Sequence, residues 1–358
     1  MPRLAGKIGV ITMSNKALWF KEYAQTQSIL WVTFILSFFF LPFQVMKRLS
    51  EVQEMINPKG TFTTPELHSI YFNLENPFPL VMAILAISIA AVLIGLERSQ
   101  GQDDFTLSLP YPRTTIYRTK WAIGATTILL SIGLNLLIAY LILFFSPFSD
   151  YLYVLSGGTR LPVTDAALWF FYGLKLILTG LALFTLALFL GTISGSYYYQ
   201  YGFSLIFAFF PYGFALLFSY FLEVHGFQVT NSPFQDQLLR NITLFLSILS
   251  INLGNPDNSA WLYALVYLLL FLPLGIYFYQ KNRVEYNGQM LIFPALQGFF
   301  LVGITICFAL LGGLIGTGFM GRGSGSTLLF YYISAAAFGY GAYWFSKRLM
   351  NRRRRREE

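Results

Sequence analysis

Eight stretches of this chain, each 19 to 28 residues long, run almost without charge, near residues 28–46, 78–96, 121–146, 166–193, 200–222, 260–279, 290–316 and 327–346. At 1.5 Å per residue each is long enough to cross about 30 Å of hydrocarbon. An unpaired backbone amide costs several kcal/mol in that medium, so an uninterrupted apolar run can only be a helix. Barrel strands would be shorter and would alternate. The expected fold is all-α, a polytopic transmembrane helical bundle of about eight spans.

Composition agrees: 56% of residues are hydrophobic, 18% aromatic and only 11% charged, with a mean hydropathy of +0.58. The spans and their connections use nearly all 358 residues, which leaves no room for an independent catalytic domain. The expected division is a cytoplasmic N-terminus over 1–27 with an amphipathic elbow helix, a membrane domain over 28–346 and a basic tail over 347–358. A ninth apolar stretch, Ile242 to Leu253, is too short to cross and meets turn residues at Gly254-Asn255-Pro256. It reads as a re-entrant or interfacial helix.

Lysine and arginine mark the cytoplasmic side. With both termini inside, the inner segments hold 17 of the 24 basic residues, and Lys175 alone lies within a span. The net charge of +8 is therefore mostly a signal of orientation and does not argue for nucleic acid as a partner. Residues 1–17 carry Arg3, Lys7 and Lys16 with no compact apolar core, which is not the pattern of a signal peptide.

Few residues suggest chemistry. Cys307 is the only cysteine, and His68 and His225 fall in separate loops, so no metal cluster is expected. No span carries paired carboxylates, which argues against an ion-coupled carrier. An intramembrane acyl- or glycosyl-lipid transferase would need a nucleophile, acids or histidines at one depth, and none assemble. Lys175 is a pathway candidate, because charge in lipid is costly unless it serves a purpose. Asn135 and Gln297 are candidates for hydrogen bonds between helices. Gly316 to Gly321 matches Gly-x-Gly-x-x-Gly, but it ends a transmembrane helix and reads as a flexible turn.

The inner connections carry more information. In Lys16 to Gln27, Leu18, Trp19 and Tyr23 fall on one helical face and Lys21, Glu22 and Gln25 on the other, as in a helix lying in the headgroup layer. After the second span comes the most charged internal loop, residues 97–120, in which Pro110 and Pro112 force an extended break after a short amphipathic helix.

The order Glu97, Gly101, Leu107-Ser108-Leu109-Pro110, Arg113 and Lys120 resembles the pattern after span two in permeases of the ABC type-2 exporter superfamily. The amphipathic segment with Trp19, Lys21, Glu22 and Tyr23 resembles their elbow helix. Arg283-Val-Glu285-Tyr-Asn-Gly288 is similar to a segment after span six in the larger, YtrC/YtrD-like branch found in Gram-positive operons beside a separate ATPase gene.

The resemblance implies a bacterial cytoplasmic (inner) membrane permease that is not itself an enzyme, one of a homodimeric or heterodimeric pair. It would be driven by a cytoplasmic ABC ATPase subunit docking on the inner loops. Glu97, Gly101, Asp104, Pro110, Arg113, Arg283, Glu285 and Gly288 become candidates for the coupling surface. The chain has no Gly-x-x-x-x-Gly-Lys-Ser/Thr sequence, so ATP and Mg²⁺ are expected in the partner and no cofactor here. An aromatic, uncharged interior suggests export of an amphipathic or lipid-like compound or antibiotic. A membrane sensor of envelope stress would need the same inner surface.

Overall fold

The computed structural model describes residues 2–56, 68–72, 77–156, 158–227, 232–254, 259–282, 284–318 and 327–351. Arg283, the arginines of the tail from Arg352 and the second half of the Gly316 to Gly321 motif lie outside them.

The bundle is all-α, as expected. Helices α1 (Pro2–Phe40) and α2 (Pro42–Ile56) are followed by α3 (Phe78–Ala90), a π-helical turn (Ala91–Leu96) and the short α4 (Glu97–Ser99) and α5 (Asp103–Ser108). Then come α6 (Arg113–Phe144), α7 (Ala166–Ile193), α8 (Tyr197–Val224), α9 (Pro233–Ile242), α10 (Leu244–Leu249), α11 (Ala260–Gln280), α12 (Pro294–Gly318) and α13 (Thr327–Asn351). Helices α3 and α7 form the buried centre; α1, α6, α8 and α11 surround them and turn bare apolar faces outward, as lipid-facing helices do.

Seven helices among the described residues are long and apolar enough to cross a membrane. The stretch expected as the eighth span forms α13, 25 residues and about 37 Å long, which is not among those seven. Ser334, Gly339, Gly341 and its tyrosines make it more polar than the rest. It runs antiparallel to α12, with Gly312 on Phe338, Gly316 on Ser334 and Ala309 on Gly339. A Cβ at Gly312 would lie 2.5 Å from Phe338 Cβ and 2.8 Å from Ser334 O. Gly312→Val is therefore expected to cost about 1–3 kcal/mol by overpacking, read as a lower thermal midpoint and faster proteolysis of α13.

The elbow segment and the first span form one continuous helix, α1. Trp19 and Tyr23 are uncovered together with Phe20, as membrane-facing anchors would be, but Leu18 parts from them and is buried with Glu22, Thr26, Thr33 and Ser37. Against lipid the apolar side chains turn outward, and the small polar ones let α1 approach α6. Their hydroxyls donate to carbonyls one turn back, Thr26 to Glu22 and Ser37 to Thr33. Asn135 of α6 also crosses to α1, its Nδ2 donating to Phe34 O at 3.3 Å.

At the end where α3 starts and α6 stops, a small sheet caps the bundle: β1 (Ile70–Tyr71), β2 (Leu152–Ser156) and β3 (Thr159–Pro162), with β2 parallel to β1 and antiparallel to β3. The ninth apolar stretch does not cross. It folds as the six-residue α10, with Leu244 and Ile248 buried against the central helices, and the preceding α9 is closed by a capping box of Ser232 and Gln235.

Candidate functional site: the charged end of the bundle

At the opposite end three segments meet: residues 91–113, the α7–α8 connection and the strap 280–293. The Glu97-x-x-x-Gly101 spacing explains how the first is shaped. Gly101 takes a left-handed φ of +69° that ends α4 and turns the chain back. Gln102 N–H then donates to Glu97 O at 2.9 Å, which brings α5 over Glu97.

Beneath α5 lies an ion cluster in which Glu22, Glu97 and Lys120 are enclosed and Lys21 is partly exposed. Lys120 Nζ donates to Glu22 Oε2 at 2.7 Å, Glu97 Oε2 at 2.6 Å and Leu93 O at 2.9 Å, using all three of its protons. Lys21 Nζ donates to Glu22 Oε1 at 3.0 Å, Glu97 Oε1 at 2.6 Å and Thr106 Oγ1 at 2.6 Å, and Thr106 in turn donates to Glu97 Oε1. Lys120 and Glu22 are 0% exposed and Glu97 2%. Two positive and two negative charges, each hydrogen-bonded, offset one another where any one alone would be prohibitive. The cluster ties α1, α4, α5 and α6 into one unit. All four charges lie just outside the expected spans, so Lys175 stays the one charge well inside a span.

The other segments are strapped to this unit. Arg98, 5% exposed, donates to Gly191 O and, at 2.5 Å, to Ser194 O at the end of α7. Arg113 donates to Gln280 O at 3.0 Å and Asn282 O at 2.6 Å. Gly288, with φ +79°, donates its N–H to Gly195 O at 2.6 Å, and Ile292 N–H donates to Ile193 O at 2.9 Å. Asn287 Nδ2 donates to Asp103 Oδ2 at 2.6 Å.

Burial raises the Asp103 carboxyl pKa, outweighing the Asn287 hydrogen bond and the Arg98 charge. A carboxylate whose pKa is higher when folded favours folding at low pH, and that contribution is lost as pH rises through the ordinary carboxylate range to the raised value. Asp103→Asn keeps an acceptor for Asn287 and cannot ionise. The thermal midpoint of the wild type minus that of the variant should therefore fall as pH is raised from 3.5 to 7.

Of the candidate coupling residues, Glu97 is buried in the cluster and Arg113 joins two segments, while Gly101, Asp104, Pro110, Glu285 and Gly288 are uncovered at this end. Lys21 and Glu22 belong to the cluster; Trp19 and Tyr23 face outward instead. They line an apolar groove of about 690 Å³ between α1 and α6 with Phe20, Trp31, Phe34 and Leu130. Lys175 is buried in α7, some 16 residues or about 24 Å along the helix from Gly191.

Sequence reasoning missed the roles of Lys120, Thr106, Arg98 and Asn287 in the packing. The signal for Lys120 was there: it lies seven residues into α6, against Trp121 and an apolar run, where a lysine has to find buried acids.

Fold and site together define a multi-pass helical membrane protein whose charged connections are locked into one rigid platform at one end. Over 322 residues, 86% of this chain and 94% of the relative, it is 22% identical to the probable ABC transporter permease YtrD of Bacillus subtilis (strain 168). Over 332 residues, 90% of the chain and 93% of the relative, it is 25% identical to the probable ABC transporter permease YtrC of the same organism. No family model and no solved structure matches the chain. The likeness to ABC transporter permeases thus extends from the loop motifs to nearly the full length.

Proposed function

We propose that this chain is the membrane-spanning permease subunit of an ABC transporter in a bacterial cytoplasmic membrane, paired with a second permease. A separate ATPase, which holds the ATP and Mg²⁺, docks on the platform. The observation that carries this reading is the ion cluster. It joins the segment that would receive the ATPase, Glu97 to Arg113, directly to α1 and α6. A push on α5 is then transmitted to two spans as rigid-body motion, because the cluster cannot yield without exposing charge to a low-dielectric interior.

The groove that α1 and α6 share is almost entirely apolar, which suits an amphipathic or lipid-like compound or antibiotic moved outward. A sensor would use the same platform without moving anything. Affinity capture of the full chain from its native membrane should bring down an ABC ATPase. In nanodiscs the pair should hydrolyse ATP faster than the ATPase alone. Recovery of folded chain with no such ATPase, under conditions that preserve other ABC complexes, would refute the proposal. Vesicle uptake assays separate exporter from sensor.

A further inference from the structure

Gln200, near the start of α8, is wholly buried. Its Nε2 donates to Ala90 O and to Ala187 O, each at 3.0 Å, and so bridges the last residue of α3 to α7. The next six residues after Ala90 are the π turn, and the residue after that is Glu97. Room has been left for the amide on both sides. A Cβ at Gly95, inside the π turn, would lie 2.5 Å from Gln200 Oε1, and one at Gly191 of α7 would strike Nε2. A second side chain holds the same turn, since Lys120 donates to Leu93 O.

A π turn holds one residue more than an α turn, so it rotates the downstream residues by about 100° relative to an unbroken α-helix. With that turn relaxed to α geometry, Glu97 would point away from Lys120 and Lys21, and Arg98 away from the end of α7. The azimuth that builds the cluster is thus set one turn upstream, in a segment that Gln200 holds.

We propose that Gln200 is a positioning residue for the charged platform: its amide pins the π turn between α7 and α8 and thereby aims Glu97 at Lys120 and Lys21. Gln200→Met fills the same slot but has no proton to donate. Ser204→Ala, one turn along α8, removes a buried hydroxyl that bonds only its own helix, to Gln200 O, and serves as the control.

The experiment is pulsed electron resonance on the full chain in nanodiscs, with Cys307→Ser, and nitroxides at the exposed positions Asp104→Cys on α5 and Tyr198→Cys on α8. Rotating a helix of 2.3 Å Cα radius by about 100° moves a Cα by about 3–4 Å. Gln200→Met should shift or split the distance distribution by that order, and Ser204→Ala should leave it in place. An unchanged distribution in Gln200→Met overturns the proposal. Should that variant fail to fold, Gln200→Asn, which draws the amide back by one methylene, is judged by the same criterion.

The consequence for coupling rests on the docking reading given above. It is measured separately, as stimulation of the partner's ATP hydrolysis in the same nanodiscs. A shifted distance with unchanged stimulation leaves Gln200 as the positioning residue and refutes the ATPase-docking reading instead.

Discussion

Lys120→Met will destabilise the folded chain by about 3–5 kcal/mol, the range found when one partner of a buried ion pair is removed. Methionine replaces the volume, so the loss is electrostatic: Glu22 and Glu97 are left enclosed with Lys21 as their one counter-charge. Lys120→Met combined with Glu22→Gln restores neutrality and should recover at least half of the loss. Detergent-resistance melts of the two single variants and the double variant form a mutant cycle that isolates the pair. A loss below about 1 kcal/mol for Lys120→Met would mean that water reaches the cluster and that the platform is not locked. The cluster's burial also changes what Glu97 can be used to test. Truncating Glu97 strands Lys120 and will lower stability, so a loss of transport in that variant does not report on coupling alone.

Arg113→Ala is the substitution that separates coupling from folding. Arg113 is half-buried and donates to two backbone carbonyls of the 280–293 strap without joining the ion cluster. Its removal frees the strap from α6 and leaves the bundle core intact. A charged hydrogen-bond donor is worth about 1.5–3 kcal/mol. If that energy aligns the two docking segments, partner-stimulated ATP hydrolysis should drop by about tenfold or more, while the thermal midpoint falls by only a few degrees and the chain stays folded. Full stimulation with Arg113→Ala would show that the ATPase engages the Glu97 loop alone.

The sequence by itself determined the class of fold, because hydrocarbon leaves an uncharged 20-residue run no alternative to a helix. It also determined where the chain stops and turns. Pro110 and Pro112 break the loop before α6, and the shortness of Ile242 to Leu253 keeps that stretch from crossing. The Glu97-x-x-x-Gly101 spacing could be read as a motif, and its cause, a left-handed residue that folds α5 back over Glu97, became visible only in three dimensions.

What tertiary structure alone decided was which side chains meet. Lys21, Glu22, Glu97 and Lys120 are separated by up to 99 positions and sit on helices whose rotation hydropathy does not specify. A helix in lipid can bury its polar face and expose Trp19 and Tyr23, or do the reverse, and only contact with α6 and α5 selects between them. The π turn before Glu97 belongs to the same category: no residue type announces it, and its register is held by Gln200 and Lys120 reaching in from other helices.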